Sequence, residues 1–185
     1  MLSQIEADGL IAMPKEPLIQ DISLPQEGKS LRVELVNKKH NEKFFLDIYR
    51  QQMVLYATYQ TRARKDIVLC RLDLGNKPHT NPSIKEGYQN SNFKLNTLIK
   101  SFEGQRVEGP HMHIFVEEYS DKWAFPLKIL GQIDETLSQL ETLWSMGYNM
   151  NRDNNVLFNK LVYSLEYFLD YCNVKPKPTI NRRLF

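Results

Sequence analysis

The sequence predicts an α+β protein: a curved antiparallel sheet of about five to six strands, with an N-terminal helix and two C-terminal helices packed on one face. Three observations carry that prediction. Apolar and polar residues alternate with period two in successive runs between Leu31 and Leu130. Short polar connections join most of those runs, which favours hairpins over crossovers. The strand-period runs come first and the two longer helix-period stripes last, so strands and helices are segregated rather than interleaved.

The elements follow in order. Ser3 and Glu6 form a capping box, and Ile5, Leu10, Ile11 and Met13 recur with roughly helical spacing, so a short helix ends before Pro14. The stretch from Pro17 to Gly28 reads as a connector. Strands are expected at Leu31 to Leu35, Lys43 to Arg50, Met53 to Thr61 and Ile67 to Leu74, the last two joined by the charged turn Arg64-Lys65-Asp66. Gly75 to Gly109 is long and polar, with a small amphipathic element around Phe93, Leu95, Leu98 and Ile99. His111 to Glu118 and Trp123 to Leu130 are further strands, the second placed at an edge by Pro126. Ile133, Leu137, Leu140 and Leu143-Trp144 make one helical stripe; Val156-Leu157, Leu161, Leu165 and Phe168-Leu169 make another. From Val174 the chain reads as an extended arm.

At 185 residues this is one domain spanning 1–185. Its 24 basic and 22 acidic side chains leave a net charge of +2, which excludes nucleic-acid binding by bulk charge but permits a local basic site. Cys70 and Cys172 have no metal or redox spacing and read as small buried hydrophobes. No secretory leader and no bilayer-length apolar run is present, so a cytoplasmic protein without a membrane partner is expected.

Strand parity then sorts the polar side chains. In the strand beginning at His111, Met112, Ile114 and Val116 share the core face, which leaves His111, His113, Phe115 and Glu117 on the other. Leu55, Ala57 and Tyr59 oppose Tyr56, Thr58, Gln60 and Arg62. Val68, Cys70, Leu72 and Leu74 oppose Arg71 and Asp73. His79 follows shortly after, and His40 is the only histidine outside this group. Arg71 with Asp73 also has a purely structural reading, as a cross-strand ion pair.

The blocks Thr58 to Arg64, Leu72-Asp73-Leu74, His79, Asn81-Pro82, Pro110-His111-Met112-His113-Ile114 and Asp121-Lys122-Trp123-Ala124 resemble a family of small bacterial proteins catalogued as a domain of unknown function. The resemblance extends to the opening helix, Leu2 to Asp8, and to the closing Leu184-Phe185. It covers most of the chain in scattered blocks, with 84–106 and 137–155 standing out as insertions. It singles out Tyr59, Gln60, Arg62, Arg64, Arg71, Asp73, His79, Asn81, His111, His113, Asp121, Lys122 and Trp123, and brings no established activity.

The functional expectation is a nucleic-acid-interacting protein, a metal-independent endoribonuclease of toxin or phage-defence type, that context being analogy. Histidine can act as acid or base near neutral pH, and the RNA 2′-hydroxyl is a built-in nucleophile. His111, His113 and His79 are the candidate catalytic residues. Arg62, Arg64, Arg71, Gln60, Tyr59, Asn81 and Lys122 are the candidate substrate contacts, and Tyr56 or Tyr59 could stack on a base. Neither metal nor another cofactor is expected. Two other readings stand beside it. One is a non-enzymatic mobile-element or phage protein that binds and inhibits a host defence complex. The other is a metal site, because His111-x-His113 with Glu117 is similar to the first half of a cupin motif. No second cupin half follows.

Overall fold

A computed structural model describes residues 2–52, 57–75, 77–130 and 154–176. The fold is α+β, with three helices among the described residues and a large open antiparallel sheet. Helix α1 spans Gln4–Ala12, and its start follows from the predicted capping box: the Ser3 hydroxyl accepts from the Glu6 N–H while the Glu6 carboxylate accepts from the Ser3 N–H. Strands β1 (Glu16–Pro17), β2 (Ser30–Asn37), β3 (Glu42–Arg50), β4 (Ala57–Ala63) and β5 (Ile67–Asp73) follow as a meander. After β6 (His79–Thr80), α2 (Phe93–Phe102) and β7 (Arg106–Val107), the chain returns to the sheet as β8 (His111–Val116) and β9 (Ser120–Pro126). Helix α3, Asn154–Tyr171, closes the described chain.

The strand count exceeds the expected five to six. Seven strands lie in the order β1-β2-β3-β4-β5-β8-β9, and β6 pairs with β7 in a separate ribbon. The unexpected strands β1, β6 and β7 are two residues each, too short to show a period. Pro126 does end an edge strand. The amphipathic element in the long polar segment is α2, capped by the Asn92 side chain on the Leu95 N–H. Of the two expected C-terminal helices, α3 carries Leu161, Leu165, Phe168 and Leu169 buried against the sheet; the stripe at Ile133 to Trp144 lies outside the described residues.

Parity assigns the core. Ala57, Tyr59, Thr61 and Ala63 of β4 are buried and alternate with half-buried Thr58, Gln60 and Arg62. The Tyr59 phenol donates to the Leu161 carbonyl of α3, so this face lies under that helix. In β5 the alternation breaks. A bulge at Thr61/Arg62 places Leu69 and Cys70 both in the core, and Val68 leaves the set expected for it. Alternation resumes at Cys70, so Arg71 and Asp73 keep their expected face.

Candidate functional site

The sheet register brings the polar residues together. Arg71 pairs with His113 and Asp73 with His111 across β5 and β8, while Gln60 and Thr58 of β4 flank Arg71 and Asp73 on the other side. Extended outwards, one row across five strands reads Arg32, Asp47, Gln60, Arg71, His113. The β6–β7 ribbon brings a third imidazole from outside the sheet. The His79 ring lies edge-on to that of His113 at 4.7 Å between centroids, and 6.2 Å from that of His111.

Asn81 holds this ribbon in place. Its side chain donates to the Ala124 and Phe102 carbonyls and accepts from the Ala124 N–H, continuing the pairing of edge strand β9 onto the overlying segment. The side chain is buried, so it positions His79 and does not contact a solvent-borne ligand.

The partners fix the tautomers, because a carbonyl oxygen can only accept. Nδ1 of His113 donates to the Asp121 carbonyl at 2.9 Å, and its Nε2 lies 2.9 Å from Arg71 Nη2, which can only donate. His113 is therefore neutral in this arrangement. Nδ1 of His111 donates to the Gly109 carbonyl at 2.7 Å, and Nε2 of His79 donates to the Lys122 carbonyl at 2.7 Å. Each ring thus spends one N–H on the backbone and turns its other nitrogen to the cluster or to solvent. Burial lowers the pKa of both His79 and His111, which favours the neutral ring.

Asp73 is the common anion. Its Oδ2 accepts from Arg71 Nε at 3.0 Å and lies 3.3 Å from His113 Nε2 and 3.8 Å from His111 Nε2. Burial opposes its charge, but the Arg71 guanidinium outweighs that and lowers its pKa to about 2. Arg71 also donates from Nη1 to Asp121 at 2.9 Å. The two imidazoles from β8 are almost fully covered, His111 at 2% and His113 at 1% exposure. Access is along the rim formed by half-buried Arg71, Asp73, His79 and Asp121 and by exposed Lys122.

The predicted site residues divide. His79, His111, His113 and Arg71 converge; Gln60 neighbours them, and Lys122 and Asn81 border them. Four others are placed elsewhere. Tyr59 is under α3, where burial raises its phenol pKa, because its parity is that of the core. Arg64 occupies the β4–β5 turn with φ 48° and faces Glu6 of α1 at 3.8 Å. Arg62 shares the polar face, but Asp47 takes its guanidinium. Glu117 lies beyond the end of β8 and accepts from the Gln4 N–H at the start of α1, so the cupin-like third ligand is not supplied. Tyr56 lies outside the described residues.

Two members were missing from the predicted site, Asp73 and Asp121. Parity had already set Asp73 beside Arg71. Asp121 was marked by the family resemblance alone; in the structure it lies near the start of β9, where its carbonyl meets His113 and its carboxylate Arg71.

The fold and cluster belong to a class without an assigned activity. The chain belongs to the family of unknown function DUF6978, whose family model matches residues 2–174. Neither a curated protein nor a solved structure matches the chain. No helix among the described residues is long and apolar enough to cross a membrane.

Proposed function

We propose that the Arg71–Asp73–His79–His111–His113 cluster cleaves phosphodiester bonds, with RNA as the substrate class. One observation carries the reading: three imidazoles with their tautomers set by backbone carbonyls meet a guanidinium beside a solvent-reachable rim. An unprotonated imidazole nitrogen is the base that an RNA 2′-hydroxyl requires, and the imidazolium formed by taking that proton is the acid for the departing 5′-oxygen. Such acid–base pairs contribute about 10²–10⁴-fold to rate. Arg71 supports the phosphorane charge. Three of its five N–H groups are engaged, and the others remain for non-bridging oxygens. Free Cys70 and Cys172 accord with a reducing, cytoplasmic setting.

The test uses end-labelled single-stranded RNA with the full chain, with and without added divalent metal. Cleavage that falls at least 100-fold in His111→Ala and stays within threefold of the parent in Arg62→Ala is expected. No cleavage under any of these conditions, or cleavage indifferent to His111 and His113, overturns the proposal. A single stoichiometric protein partner together with histidine indifference would point to the inhibitor reading.

A further inference from the structure

We infer that the same cluster is a binding site for one divalent first-row transition ion, held by Asp73 Oδ2, His111 Nε2 and His113 Nε2. The inference deepens the phosphodiester reading by naming a cofactor for that centre, and reverses the expectation of a metal-free site.

Three observations support it. First, the donor atoms of Asp73, His111 and His113 all lie within 4.8 Å of one another, with 3.3 and 3.8 Å from the carboxylate oxygen to the two nitrogens. Tetrahedral ligands at bonds of about 2.0–2.1 Å stand about 3.3–3.4 Å apart, close to the two oxygen–nitrogen separations, and the two ring nitrogens close to that spacing as the ion enters. Second, both imidazoles donate their remote N–H to a backbone carbonyl, the outer-shell arrangement that orients metal-ligating histidines. His79 is built the same way on the Lys122 carbonyl, with its ring 4.7 Å from that of His113.

The third observation is charge. With neutral rings, one guanidinium faces the two carboxylates of Asp73 and Asp121, so the cluster carries a net negative charge. A phosphate diester is repelled by that charge, whereas a divalent cation inverts its sign and polarises a phosphoryl oxygen. Imidazole with carboxylate selects zinc, iron or cobalt over magnesium or calcium.

Arg71 is the competitor. Its Nη2 rests on His113 Nε2, one of the three donor nitrogens and oxygens, so an entering ion must turn that arm away while the bond to Asp121 can remain. The guanidinium therefore holds the site together without metal and weakens metal affinity. A plain ion-pair network predicts the opposite, because there Arg71 and Asp73 support each other equally.

The probe is Co²⁺, titrated into chelator-treated full-length protein and followed by calorimetry and visible absorption. One equivalent is expected to bind with low-coordinate d–d bands. Binding is expected to be lost in Asp73→Asn and His111→Gln, preserved in His40→Ala, and at least threefold tighter in Arg71→Ala. Circular dichroism on each variant separates loss of ligands from loss of fold, and Asp73→Asn keeps the side-chain shape where His111→Gln fails to fold. Absence of stoichiometric binding, binding retained in Asp73→Asn, or weaker binding in Arg71→Ala overturns the inference. RNA cleavage undiminished in excess chelator removes the metal and leaves the nuclease reading. Stoichiometric Co²⁺ without cleavage of RNA does the reverse.

Discussion

Two charged clusters share one face of this sheet and are built to different ends. Towards β2, Asp47 stands between Arg32 and Arg62 at a partly open surface, one oxygen to each guanidinium, while Arg62 Nε is buried without a hydrogen-bond partner. Towards β8, Arg71 stands between Asp73 and Asp121 and against three imidazoles, under a ribbon that buries two of the rings. The first gathers two guanidiniums on one carboxylate, so it offers N–H donors and no nitrogen lone pair. The second presents nitrogen lone pairs and excess carboxylate, at the cost of desolvating them. The difference shows that opposite charges side by side do not mark a site; what sets the second apart is ring nitrogens whose orientation backbone carbonyls hold.

Substitutions can break or sharpen this contrast. The largest effect is expected at the β8 cluster, where His111→Ala lowers RNA cleavage by about 10²–10⁴-fold in single-turnover assays. Asp73→Ala comes next. Removing the shared anion strips the half-buried Arg71 of one of its two carboxylates and leaves its Nε–H unpaired, and urea titration should show a loss of about 2–3 kcal/mol. A comparable loss is expected for Asn81→Ala, about 2 kcal/mol, because two carbonyls and one buried N–H lose their partner. The same variant frees the His79 ribbon, so cleavage should fall with it. At the other cluster, Arg62→Ala should cost about 1 kcal/mol or less, with Arg32 still facing Asp47. A loss above about 3 kcal/mol there would remove the contrast.

pH offers an independent route. Burial lowers the pKa of His79 and His111 below their ordinary 6.5, so the unfolded chain takes up protons first as the pH falls. Stability is therefore retained above pH 6.5 and lost progressively below it. Asp73 acts in a lower window. Its pKa falls from 3.8 to about 2, so its contribution is complete above pH 3.8 and disappears towards pH 2. Urea midpoints measured from pH 8 to pH 4 should fall below pH 6.5 in the parent protein. The slope should be shallower in His111→Gln. An unchanged slope means His111 is not held neutral by burial.

Much of the scaffold was legible because its signals are local. The Ser3–Glu6 capping box, the alternation in β2, β3 and β8, and the stripe in α3 each lie within a few residues of chain. The shared face of Arg71, Asp73, His111 and His113 followed from the pleat alone. Parity failed at Val68, where a bulge adds a residue that no sequence pattern announces. It was also set aside for Tyr59, whose place among the core-facing residues already argued against a ligand contact. The short strands β6 and β7 were invisible, because two residues have no period.

By itself the sequence determined which side chains can face each other, since that depends only on the two-residue repeat of a strand. It also determined where α1 begins, since a cap acts within one turn. The tertiary structure alone decided that His79 comes to rest on His113, that Asp121 joins Arg71, and that Arg62 is taken by Asp47. Those contacts are set by chain return and strand register, which depend on the packing of segments far apart in sequence.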